Sequence, residues 1–110
     1  REIIKWIQGL DLSYSVKDPK KDLSNGFLIA EIFSRYYPGA IQMHSFDNSQ
    51  KVERRTNNWF LLEKFFNKNK EIPLSRKDFE EILKESNMDA LAEFMMKMYT
   101  FLTNRKVTRP

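Results

Sequence analysis

Asp22-Leu23-Ser24-Asn25-Gly26-Phe27-Leu28-Ile29-Ala30-Glu31-Ile32 is the stretch whose reading decides the fold. Apolar residues at Leu23, Phe27, Leu28, Ala30 and Ile32, continued by Phe33 and Tyr36, recur with the period of a helix. The spacing predicts one helix from Leu23 to about Tyr37, with Asp22 as its cap and Pro38-Gly39 as its stop. The apolar stripe is too wide for a surface helix, so the segment is expected to be central and buried on most sides. Gly26 falls inside it, where glycine costs about 1 kcal/mol relative to alanine. A second element is therefore expected to approach the backbone closely at that point.

Working outward, the same period returns almost everywhere. Ile3, Ile4, Ile7 and Leu10, with Trp6 beside them, form a first short amphipathic stripe. Asp11 to Lys21 reads as a polar loop broken by Pro19, and Ala40 to Gln50 as an irregular segment anchored by Ile41, Met43 and Phe46. A helix from about Lys51 to Lys68 carries Trp59, Leu62, Phe65 and Phe66 at core spacing, with Phe60 and Leu61 widening the face. Ser75, with Asp78 three residues on, resembles a capping box opening a short helix that bears Phe79, Ile82 and Leu83. The last helix, Asp89 to Thr103, has Leu91, Phe94, Met95, Met98, Tyr99 and Leu102 on one face. No segment alternates with period two for long enough to build a sheet. The expected class is all-α, with four principal helices and one or two short ones.

With 110 residues the chain is expected to form one domain, and nine Phe, four Tyr and two Trp give it the aromatic content of a packed core. Absence of Cys excludes disulfides, thiolate metal sites and thiol nucleophiles. A single histidine, His44, excludes multi-histidine metal centres. Apolar runs reach only four residues, where a membrane span needs about twenty. Gly9, Gly26 and Gly39 are too scattered to cradle a phosphate, Asp47-Asn48-Ser49 lacks the later ligands of a calcium loop, and adjacent Glu80 and Glu81 point to different sides of a helix. No catalytic, cofactor or metal constellation emerges. Opening without Met or a signal pattern and closing on Thr-Arg-Pro, the chain is expected to be an intracellular domain of a longer protein.

The Asp22 to Ile32 string resembles the signature of calponin-homology domains, whose second main helix carries a Leu-x-(Asp/Asn)-Gly-x-x-Leu core. Within that family the chain is most similar to the branch of sperm flagellar protein 1 and spermatogenesis-associated protein 4. The resemblance is carried by Ile4-Lys5-Trp6-Ile7, Leu10 to Ser13, Tyr36-Tyr37-Pro38, Gln42 to Phe46, Asn58-Trp59 with Leu62-Glu63-Lys64, and Leu102 to Lys106. The closing Leu-Thr-Asn-Arg-Lys resembles the spermatogenesis-associated side more. Asn25 stands where the family commonly has Asp, and Ser86-Asn87-Met88-Asp89 replaces a Pro-Gly-Val type of turn. The resemblance implies the calponin-homology fold over residues 1–106, with 107–110 starting a linker or tail. It implies core roles for Trp6, Gly26, Phe27, Leu28, Trp59, Leu62, Phe66, Leu91, Met95 and Leu102.

It further implies a binding module, not an enzyme, of the ciliary or flagellar cytoskeleton. Its expected partners are microtubules or tubulin, or axonemal proteins. Actin is the weaker expectation, since actin binding in this family uses paired domains and this chain holds one. Nineteen basic against fifteen acidic residues give a charge of +4, and residues 1–55 and 56–110 each carry +2. Such a balance suits an acidic partner. Two clusters are the candidate partner-binding surface: Lys17, Lys20 and Lys21, and then Lys51, Arg54 and Arg55, whose three- and four-residue spacings share a helix face. Arg105, Lys106 and Arg109 are a third possible contribution. Ordinary solvated surface is the competing explanation for each of these.

Two further classes stay open. An adaptor would grip a protein through an apolar groove, and Phe60, Leu61 or Met96, exposed and contiguous, would favour it. Nucleic-acid binding would need exposed aromatics among basic residues, whereas these aromatics follow core spacing. The methionines at 88, 95, 96 and 98 fit core packing better than an adaptable groove.

Overall fold

The computed structural model describes residues 2–49, 51–85 and 88–107. Six helices follow in order: α1 Glu2–Gly9, α2 Pro19–Ser24, α3 Phe27–Tyr36, α4 Val52–Lys68, α5 Arg76–Glu85 and α6 Met88–Val107. A single 3-10 turn, Met43–Ser45, sits between α3 and α4. No strand occurs among the described residues. The fold is all-α, with four helices of ten or more residues and two short ones. Ser86 and Asn87, and hence the turn before α6, lie outside the described residues, as do residues 108–110.

The centre of the molecule is aromatic. Trp59 of α4 is fully buried, stacks on Phe79 of α5 at 4.7 Å between ring centroids, and meets Phe94 of α6 edge-on at 5.3 Å. Phe33 of α3 packs edge-to-face on Phe65 and Phe66 of α4 at 5.6 and 5.3 Å. Offset and edge-on geometries of this kind suit the ring quadrupole. Leu28, Leu62, Leu91 and Leu102 complete this core, and Met95 and Met98 fill it from α6. Trp6 and Phe27 lie at its margin instead, only partly buried. Trp6 donates from Nε1 to the Tyr36 hydroxyl at 2.9 Å and leans on Tyr99. Ile41, Met43 and Phe46 pack against the core as the irregular segment's anchors. Met96 faces outward.

One expectation is corrected at the deciding stretch. Leu23 to Tyr37 is not one helix: the chain breaks at Asn25–Gly26 into α2 and α3. Gly26 adopts φ 85°, the left-handed region, so no regular helix can pass through it. The break escapes the apolar period because α2 and α3 bury residues on both sides of it in the same core. The expected close approach is present as well, since a Cβ on Gly26 would sit 3.3 Å from Asn58 Cβ and from two atoms of the Trp59 indole. Asn25, just before the N-cap residue Gly26, accepts the Phe27 amide on its Oδ1 at 2.9 Å and so satisfies the first free amide of α3.

Helix boundaries elsewhere follow local chemistry. Asp22 does not cap a helix starting at Leu23. It lies within α2 and its carboxylate reaches back to accept the amides of Lys17 and Asp18 at 2.8 and 2.9 Å. At α5 one half of the expected capping box forms, the Ser75 amide donating to Asp78 Oδ2 at 2.8 Å, while the Asp78 amide goes to the Ser75 carbonyl and not to its hydroxyl. That carboxylate also holds Lys97 of α6 at 2.8 Å, joining the two helices. The last helix runs four residues past the expected Thr103.

Candidate functional site

The break at Gly26 organises the surface above it. Asn25 and Asn58 are completely buried and tie three segments together. Asn58 Nδ2 donates to the carbonyls of Asn25 and Asp47, both at 2.8 Å, while its Oδ1 accepts the Asp47 amide at 3.1 Å. Asn25 Nδ2 donates to Asn48 Oδ1 at 2.9 Å, and Trp59 Nε1 donates to the Ser24 carbonyl at 2.8 Å. Buried polar groups satisfied in this way hold a unique geometry, because losing any partner leaves a costly unpaired group. The end of α2 and the 47–49 segment leading into α4 are therefore clamped to each other.

That clamp bears on both basic clusters. Lys17 and Lys21 line an open cleft of about 490 Å3 together with Tyr14, Ser15, Asp18, Asp22 and Asn48. Asn48 stands three residues before Lys51, the N-cap residue of α4, so the Asn25–Asn48 bond ties the chain leading into α4 to the end of α2. Lys17, Lys20 and Lys51 are exposed, and among the described residues their ammonium groups meet no carboxylate. Arg54 is exposed and pairs loosely with Asp47 at 3.5 Å. The cleft lining holds two lysines and two aspartates and is electrically balanced, and Lys20 and Lys51 are exposed outside that lining.

Arg55 departs from the expected pattern. It shares a helix with Lys51, whose carbonyl accepts its amide at 2.9 Å, yet its guanidinium turns inward. Nη2 donates to the Leu83 carbonyl of α5 at 2.7 Å, and Nε is buried with no partner among the described residues. Arg55 fastens α4 to α5 and presents little charge to a partner. The backbones of Arg105 and Lys106 lie in α6, whereas Arg109 lies outside the described residues.

Two exposed apolar side chains flank the basic residues without having been expected there. Tyr14 is 50% exposed, lines the cleft and rests edge-on against Phe27 at 5.5 Å, and Val52 is 69% exposed beside Lys51. Neither belongs to a periodic stripe, so only burial reveals them. The groove that would serve an adaptor does not assemble. Phe60 (49% exposed), Leu61 and Met96 (58% exposed) each line a different depression, walled respectively by α4 with α5, by α4 with residues 40–46, and by α6 with Pro73.

No helix among the described residues is long and apolar enough to cross a membrane, and no cluster of three or more His, Asp or Glu side chains there could hold a metal. Comparison with known proteins finds a family model, described as a CH-like domain in sperm protein, that matches residues 3–100. Among curated proteins the chain is similar to sperm flagellar protein 1 of Bos taurus, 28% identical over 58 residues, which is 53% of this chain and 25% of that protein. The Homo sapiens protein of the same name is 26% identical over 58 residues, again 53% and 25% of the two chains. For that of Xenopus laevis the figures are 27% over 62 residues, 56% of this chain and 27% of the relative. The match thus spans about a quarter of these relatives' length.

Proposed function

From the premise that the chain belongs to the family of CH-like domains in sperm protein, we propose that it is a non-enzymatic binding module of the flagellar cytoskeleton that associates with microtubules of the axoneme. Residues 1–106 are the binding unit in this reading, and 107–110 begin a tail. Its relatives are named as flagellar proteins, which supports the location. The observation that supports the reading is the cleft that Lys17 and Lys21 share with Asn48, which the bond to Asn25 holds three residues before Lys51.

A microtubule offers a strongly acidic surface, and the excess of Lys20 and Lys51 over the balanced cleft would draw this face toward it. Tyr14 and Val52 would supply the apolar contacts that fix orientation. Exposed ion pairs contribute about 0–1 kcal/mol each, so one domain binds modestly. A parent protein that oligomerises elsewhere would gain avidity. An adaptor gripping an axonemal protein is the second reading, with Tyr14 as its observation, and actin binding ranks behind both.

Co-sedimentation of the 110-residue chain with taxol-stabilised microtubules and with filamentous actin, across a salt series, tests this. The expected result is pelleting with microtubules that fades as added salt shortens the screening length to about 8 Å near physiological strength. Pelleting with neither filament, or pelleting indifferent to salt, would overturn it.

A further inference from the structure

We propose that Ser15 is a phosphorylation site, and that its modification turns the balanced cleft negative and releases the domain from its filament. The release rests on the reading above, whereas the site itself does not. Ser15 is exposed, lies in the irregular segment between α1 and α2, and lines the cleft with Lys17 and Lys21. No group among the described residues is hydrogen-bonded to its hydroxyl.

The neighbouring serines are engaged in ways Ser15 is not. Ser13 donates from Oγ to the buried Glu31 carboxylate at 2.6 Å, and its amide donates to the same group. Ser24 is buried and donates to the Lys20 carbonyl. An acid stands three residues beyond Ser15, Ser75 and Ser86, but Asp78 is committed to capping α5 and Ser86 lies outside the described residues. Asp18 is exposed and makes no side-chain cap bond to α2, so it remains available to an acid-directed kinase reading the sequence Ser15-Val16-Lys17-Asp18.

In the reaction ATP is the phosphoryl donor. A bond forms between Ser15 Oγ and the γ-phosphorus, the bond from that phosphorus to the β,γ-bridging oxygen breaks, ADP leaves, and the hydroxyl proton passes to the kinase's catalytic carboxylate. The product adds a charge of about −1.5 to −2 at neutral pH. A cleft in which two lysines balance two aspartates then becomes net negative, which offsets the positive charge outside it and repels an acidic filament.

The test treats the 110-residue chain with a purified acid-directed Ser/Thr kinase and ATP, maps the phosphate by fragmentation mass spectrometry, and compares microtubule pelleting at low salt. Ser15→Ala and Asp18→Asn are run in parallel. Expected are one phosphate on Ser15, slower labelling of Asp18→Asn, none at this position in Ser15→Ala, and about a tenfold loss of microtubule affinity on phosphorylation, the scale of one to two lost ion pairs. Phosphate elsewhere, or no labelling while a control peptide is modified, would overturn the site. Full labelling with unchanged pelleting would overturn the release. If the unmodified chain never pellets, the filament reading fails and the release with it, while a phosphate mapped to Ser15 would still uphold the site.

Discussion

Replacing Gly26 with alanine separates two pictures of this fold by the sign of its effect. Were Gly26 inside a continuous helix, Gly26→Ala would stabilise the domain by about 1 kcal/mol through helix propensity. At φ 85° it instead forces an L-residue into the left-handed region, which costs about 1–2 kcal/mol. Its new Cβ would also lie 3.3 Å from Asn58 Cβ and the Trp59 ring, neither of which can yield easily. Asn58 is held by three hydrogen bonds and Trp59 is stacked on Phe79. Overpacking of this kind adds about 1–3 kcal/mol. The two contributions together predict a loss of about 2–5 kcal/mol, or a fall in Tm of about 10–25 °C for a domain of this size. Gly39→Ala is the internal control: it shares the positive φ, at 82°, but a Cβ there meets nothing within 4 Å, so only the backbone cost should register. Urea unfolding followed by circular dichroism measures both variants, with an unchanged m-value confirming the same transition. Equal losses for the two would refute the crowding at Trp59, and a stabilised Gly26→Ala would refute the break between α2 and α3.

Three further outcomes are expected. Reversing Lys20 and Lys21 to Glu should weaken microtubule pelleting several-fold while leaving the melting temperature near normal, and unchanged pelleting would remove that cluster from the interface. Arg55→Ala should act on stability, since a hydrogen bond made by a charged group contributes about 1.5–3 kcal/mol. A lowered urea midpoint with normal binding per folded molecule is the expected result, and normal stability with lost binding would return Arg55 to the surface. Acid should loosen the α4–α5–α6 contacts. The Arg76 guanidinium, chiefly through its hydrogen bond, holds Glu63 below its ordinary value, while at Asp78 burial pushes upward but is outweighed by Lys97 and Ser75. Both carboxyls therefore stabilise the fold above the ordinary carboxylate range near pH 4, and that contribution disappears as pH falls through their depressed values. Asp78→Asn should flatten the dependence of urea stability on pH in this acid window. A variant as acid-sensitive as the unaltered chain would refute the assignment.

Much of the architecture is written in local spacing. The period of Trp59, Leu62, Phe65 and Phe66 places α4, that of Leu91 to Leu102 places α6, and Ser75 with Asp78 starts α5, because backbone geometry within one segment sets which residues share a face. The same logic finds Ile41, Met43 and Phe46 as anchors of an irregular stretch. It misleads where two helices bury the same side, as α2 and α3 do across Gly26, since apolar periodicity records burial and not the φ of a single residue, and it misses that α2 already begins at Pro19, inside the stretch expected as loop.

What the sequence by itself determined is thus the all-α class, most of the core and the presence of two basic clusters, whereas Trp6 and Phe27 proved marginal. Tertiary structure alone decided which charges face outward. Asn25 meets Asn48 and Asn58 across 23 and 33 residues of chain, and Arg55 meets the Leu83 carbonyl across 28. The direction of a long polar side chain depends on which unsatisfied carbonyl or carboxylate packing brings within reach, and no local pattern encodes a partner that distant. Lys51 and Arg55 stand one helical turn apart, yet one is exposed and the other is drawn into the seam between α4 and α5, where the Leu83 carbonyl accepts its guanidinium.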